Sequence, residues 1–191
     1  ALYERHKVLT YPRTDSRYLP EDMLGAVKDT LRALTDSPLG KHAATVLDSG
    51  WVHPTKRIFN NAKVSDHFAI IPTLQAPKSL TEVELKLYDM VVKRFIAVFY
   101  PSAEFMVTTR ISTVGKHQFQ TNGKGLVNPG WLAVYGKEAQ EDGDAPQLPK
   151  VEPRERVSTQ AVTVLANQTR PPPRYIRAQQ PSRRSRTRAG N

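Results

Sequence analysis

The sequence predicts an α+β protein of more than one domain, mixed α/β up to about residue 100 and β-rich beyond it. Two observations carry that reading. Before Tyr100, apolar residues recur every three or four positions in two long windows, the spacing of a helix face. After Pro101 the period drops to two, the spacing of a strand.

Taken in order, Leu2 and Tyr3 with Glu4, Arg5 and His6 read as the last turn of a helix. A β-type run from Val8 to Tyr11 then enters a loop that carries Arg13, Asp15, Ser16 and Arg17. Pro20 opens a helix to about Leu34: proline suits the first turn, and Glu21 and Asp22 suit its positive end. Met23, Leu24, Val27, Leu31 and Leu34 share one face, and Asp36 to Gly40 stops the helix. A shorter helix is expected over Lys41–Leu47. The stretch from Trp51 to Thr73 reads mostly as loop.

Two overlapping capping boxes, Ser79 with Glu82 and Thr81 with Glu84, announce a third helix. It runs to Tyr100, with Val83, Leu87, Met90, Val91 and Phe95 expected on the core face. Lys93 and Arg94 near its end suit the helix dipole. Phe105 to Thr113 alternates as a long half-buried strand, Gly115-Lys116 turns it, and His117 begins the return. Trp131–Tyr135 and Val157–Leu165 are further strand candidates, separated by an acidic loop from Lys137 to Lys150.

A chain of 191 residues is long enough for one large domain or two small ones. No apolar run approaches the roughly 20 residues of a membrane span, and the first residues lack the apolar core of a signal peptide. With no cysteine there is no disulfide framework and no thiolate zinc site. The expected location is cytoplasmic. The net charge of +10 is uneven: the chain up to Glu155 holds 20 Lys/Arg against 18 Asp/Glu, whereas the remainder holds eight Arg and no acid. The basic balance therefore describes the tail, and a nucleic-acid partner has to be argued from local residues.

Those local residues lie at Tyr11-Pro12-Arg13-Thr14-Asp15-Ser16-Arg17-Tyr18-Leu19-Pro20. A tyrosine at the end of a strand with arginine two residues on suits attack on a phosphodiester. The phenol is the nucleophile, and the guanidinium forks onto the phosphate oxygens and holds the developing charge. Downstream, Lys63-Val64-Ser65-Asp66-His67-Phe68-Ala69-Ile70-Ile71-Pro72-Thr73 forms a second motif, and Arg170-Pro171-Pro172-Pro173-Arg174-Tyr175 a third. Taken alone, His67 reads first as a satisfied histidine capping a helix start, beside a Ser65/Asp66 cap.

These three motifs, in this order, resemble the type IA DNA topoisomerases, and the first resembles the bacterial topoisomerase III branch in particular. The likeness runs from about Leu2 to Tyr175 and departs from the family at Phe68, where a second histidine is common. It implies that Tyr11 attacks single-stranded DNA and forms a 5′-phosphotyrosine link, with strand passage and resealing independent of ATP. It assigns Arg13 to the phosphate charge and His67 to DNA binding, with Lys63, Asp15, Ser16 and Arg17 along the DNA path. Residues 1–100 would form the tyrosine domain and 101–168 part of a β-rich arch. From 169 to 191 a Pro/Arg-rich tail is expected to be disordered, as a basic arm on nucleic acid or as an out-of-frame product.

A free phenol, with a pKa near 10, is a poor nucleophile at neutral pH. In the family the help comes from an N-terminal domain with an acidic Mg²⁺ site, and no ligand set for Mg²⁺ is evident in this chain. With no initiator methionine either, the chain is expected to be an internal fragment, inactive alone and lacking that metal-binding domain as its partner. The competing reading is a non-catalytic nucleic-acid-binding module held by phosphate contacts. A tyrosine relaxase or recombinase fits less well, since neither a histidine cluster nor several spaced arginines accompany Tyr11.

Overall fold

A computed structural model describes residues 1–136, 148–161, 163–164 and 166–169. The third motif at 170–175, the tail after it, and most of the acidic loop (137–147) lie outside these residues. The described part holds three α-helices, α1 (Leu24–Ala33), α2 (Gly40–Asp48) and α3 (Glu82–Ala97), and one antiparallel pair, β1 (Glu104–Val114) with β2 (His117–Asn128). It is a mixed α+β chain.

The predicted first helix begins as a 3₁₀ turn at Glu21–Met23 and becomes α-helical at Leu24. Val27, Leu31 and Leu34 are buried on its inner face. Each fully buried side chain of this kind stabilises the fold by roughly 1.5–3 kcal/mol. Gly40 then lets α2 start hard against the end of α1, because a Cβ there would overlap the Thr35 carbonyl. Ala43 and Val46 of α2 join the same core.

Of the two overlapping capping boxes, the Thr81–Glu84 one forms. The Thr81 hydroxyl accepts the Glu84 N–H, and the Glu84 carboxylate accepts the Thr81 N–H at 2.9 Å. Ser79 instead sits at φ 52°, outside the conformation of a helix cap. The buried face of α3 differs from the expected one: Tyr88, Val92, Phe95, Ile96 and Ala97 are buried, while Val83, Leu87 and Met90 are exposed. The helix carries two apolar stripes, and periodicity cannot tell which one meets α2. Lys93 pairs with Asp89 one turn back, at 2.9 Å.

Beyond Pro101 the strand pair is longer than predicted, with Met106 opposite Gly125 and Val114 opposite His117. It is exposed on both faces rather than half-buried, because no second layer covers it among the described residues. Residues 130–134, expected as a strand, form a 3₁₀ helix. Gly130 makes this possible: at φ 48°, a Cβ would stand 2.5 Å from the Ser102 carbonyl oxygen. The close approach lets Trp131 N–H donate to Pro101 O at 3.0 Å and seats Val134 in the core.

The chain divides into two compact units, 1–149 and 150–191. In the second, a turn closes at Glu152–Glu155. The predicted strand at 157–165 is not formed among its described residues, which are exposed and find no strand to pair with. Alternation alone does not make a strand without a neighbour for its N–H and C=O groups.

Candidate active site

The segment that bears Tyr11 is held by the segment that bears His67. Leu9 bridges antiparallel to Pro72, with Thr10 N–H donating to Ile71 O and Thr73 N–H to Val8 O, both at 3.0 Å. Pro72 has no N–H to give, so the pairing rests on its neighbours. Thr10 strengthens it from the side chain: its hydroxyl accepts the Ile71 N–H at 2.9 Å and donates to the Ala69 carbonyl at 3.3 Å. Further on, Leu19 bridges parallel to Phe59, and the backbone bonds of Leu19 to Ile58 and of Asn60 to Leu19 are each 2.9 Å long.

Between these bridges the loop is fastened by hydroxyls. Thr14 donates to His67 O at 3.0 Å and Ser16 to Lys63 O at 2.9 Å. Each also accepts a backbone N–H two residues on, Ser16 for Thr14 and Tyr18 for Ser16. Ala69 N–H closes the set on Tyr18 O at 3.0 Å. Such self-bonding favours a fixed turn over regular structure. The motif residues that read as a loop are thus a rigid loop.

The result brings Tyr11 against His67, with ring centroids 4.2 Å apart and planes tilted by 38°. Tyr3 also packs edge-on against Tyr11, at 5.3 Å and 84°. The phenol therefore contacts two rings while remaining half-exposed. Arg13, Thr14, Asp15, Ser65, Asp66 and His67 line an open cleft beside it. Among the described residues no side chain bonds the Tyr11 hydroxyl, and Arg13 has no acid partner. No helix starts at Ser65 or Asp66, so His67 is not a helix-cap histidine here.

The remaining predicted site residues separate. Lys63 turns to Tyr18, its Nζ donating to the phenol oxygen at 3.2 Å. That bond above all, with the charges of Lys63 and Arg17 adding to it, holds the Tyr18 phenol below its usual pKa. Ser16 acts through its hydroxyl on the loop, and Arg17 faces a different pocket from Arg13. Sequence reasoning missed Tyr3, Thr10 and Thr14. The signal was a run of hydroxyl residues at Thr10, Thr14 and Ser16 facing a segment that cannot pair regularly through Pro72.

The described residues hold no group of three or more histidine and acidic side chains that could bind a metal ion. Asp15 and Asp66 are the acidic residues that line the cleft.

Residues 1–179 match the family model for DNA topoisomerase. The chain belongs to the DNA topoisomerase family, on the bacterial type IA, topoisomerase III branch. It is 42% identical over 180 residues to DNA topoisomerase 3 of Bacillus licheniformis, a match covering 91% of this chain and 24% of the relative. DNA topoisomerase 3 of Bacillus subtilis is 38% identical over 180 residues, 91% of this chain and 25% of the relative. That of Shouchella clausii is 36% identical over 178 residues, 91% and 24%. The chain thus spans about a quarter of the length of these topoisomerases. No helix among its described residues is long and apolar enough to cross a membrane.

Proposed function

We propose that this chain carries the cleavage tyrosine of an ATP-independent type IA topoisomerase acting on single-stranded DNA. The observation that supports it is Tyr11 packed against both Tyr3 and His67, beside a cleft that His67 shares with Arg13. In the reaction, the Tyr11 oxygen attacks the phosphorus of a backbone phosphodiester. A new P–O(Tyr11) bond forms as the P–O3′ bond breaks. The phenol proton is lost and the 3′ oxygen leaves as a hydroxyl, so the 5′ phosphate stays on Tyr11. After a second strand passes, the 3′ hydroxyl attacks the phosphotyrosine and the bond is restored with no net energy input.

The residues divide the work of this scheme. Arg13 forks onto the non-bridging phosphate oxygens and holds their developing charge. His67 fixes the phenol by ring contact and offers its ring nitrogens to the same phosphate, and Lys63, Asp15, Ser16 and Arg17 border the path of the strand. The base for the phenol and the Mg²⁺ site come from a domain outside this chain. Residues 1–100 serve as the tyrosine domain and 101–168 as part of the arch.

The test is complementation. The chain is mixed with the N-terminal domain of a related topoisomerase 3, Mg²⁺ and a labelled single strand, and a covalent adduct is sought by denaturing electrophoresis. The expected adduct requires both components, disappears in Tyr11→Phe and falls by about 10²-fold or more in Arg13→Ala. Salt-sensitive binding with no adduct, the same in Tyr11→Phe, would sink the catalytic reading in favour of a binding module.

A further inference from the structure

The loop after Tyr11 lines two pockets. One is the cleft of Arg13, Asp15 and His67; the other is a separate pocket that shares Thr14 with it. This second pocket is rimmed by three arginines from three distant places: Arg17 on the loop, Arg57 before the Phe59 bridge, and Arg94 in the last turn of α3. All three are exposed, and none meets an acidic side chain among the described residues. The helix dipole explains a cation at position 94, but nothing intrinsic to the fold explains three guanidinium groups gathered without a counter-charge. Like charges brought together by folding cost free energy unless an anion joins them.

Beside the arginines and the hydroxyls of Thr14 and Ser16, the pocket has an apolar surface made by Ile58, Ile70, Phe95 and Val98, with Tyr18. A small free anion needs no such surface. A nucleotide does, because its phosphate seeks the guanidinium forks while its base seeks an apolar or aromatic surface.

We propose that this pocket seats one nucleotide of the same single strand that Tyr11 cleaves, its phosphate on Arg17, Arg57 and Arg94 and its base against the apolar surface. The inference rests on the single-stranded DNA reading above and adds Arg57 and Arg94 to it. The occupant is a nucleic-acid strand because the pocket is built on the loop that follows Tyr11 and shares Thr14 with the Arg13 cleft, so one strand can serve both. Its role is to fix the register of the strand at the scissile phosphate.

Photocross-linking with an iodouracil-substituted oligodeoxynucleotide tests this on the full chain, with the linked peptides mapped by mass spectrometry. Mapping separates true sites from the arginine-rich tail. Expected are links to Tyr3, Tyr11 or His67 and, from a different base position, to Tyr18 or Phe95. R57Q/R94Q should lower the second set roughly tenfold, the loss expected for a charged hydrogen bond, and spare the first. R57K/R94K, which keeps the charge, should retain more of it. Links at the Tyr11 cleft with none at Tyr18 or Phe95, or links there indifferent to R57Q/R94Q, overturn the pocket and leave the proposed function standing. Links confined to the tail overturn both.

Discussion

The position of Tyr11 depends on Thr10 more than on any catalytic group. The Thr10 hydroxyl bonds to both Ile71 N–H and Ala69 O, closing the antiparallel contact that brings His67 beneath the phenol. Thr10→Val keeps the shape but leaves a part-buried N–H and C=O without a partner. That substitution should destabilise the chain by about 1–3 kcal/mol, measured by urea unfolding, whereas Thr10→Ser should be close to wild type. In the complemented cleavage assay, Thr10→Val should also lower adduct yield, since the Tyr11–His67 contact loosens. Equal stability of the two variants would show that the backbone bonds alone hold the segment.

Among the elements, α3 has the best-defined beginning. Glu84 caps it and also receives Arg5 at 2.7 Å, tying the helix to the segment just before Tyr11. The Thr81 N–H above all, then the Thr81 hydroxyl, Arg5 and His6, lower the Glu84 carboxyl to about 2. Because the folded chain releases this proton more readily than the unfolded chain, the bond stabilises the fold fully above the ordinary value of 4.5. The contribution is lost as pH falls from 4.5 towards 2. Denaturant unfolding as a function of pH should therefore show an acid limb that flattens in Glu84→Gln. Thr81→Ala, which removes the cap, should cost about 1 kcal/mol at neutral pH. An acid limb unchanged in Glu84→Gln would assign it to other carboxylates.

At the scale of the whole molecule, stability is unevenly spread. The core gathers α1, α2 and α3 around fully buried Val27, Leu31, Val46 and Ile96 and includes Val8 from the site segment. The β1–β2 pair stands outside it, with Phe105, Val107 and Ile111 exposed along one face. Two strands without a covering layer are marginal in water. Amide hydrogen exchange should be faster across 104–128 than in α1 and α3 by on the order of a hundredfold or more. Uniform protection would mean that the pair is covered, for example by self-association through that apolar face.

The sequence by itself determined what is local. Apolar spacing located α1 and α3, the Thr81–Glu84 box started α3, and the change of period after Pro101 announced β1 and β2. The motif around Tyr11 named the branch of topoisomerases, because a run of specific side chains survives translation into sequence. Tertiary structure decided what is relational. Which of two stripes of α3 is buried depends on where α2 lies, and whether alternating residues form a strand depends on a neighbour to bond. That Tyr11 meets His67, that Lys63 turns away to Tyr18, and that Arg17, Arg57 and Arg94 share a rim all follow from contacts between residues far apart in the chain. Such contacts carry no periodicity, since their geometry is set by the backbone bridges at Leu9 and Leu19 rather than by spacing along the sequence.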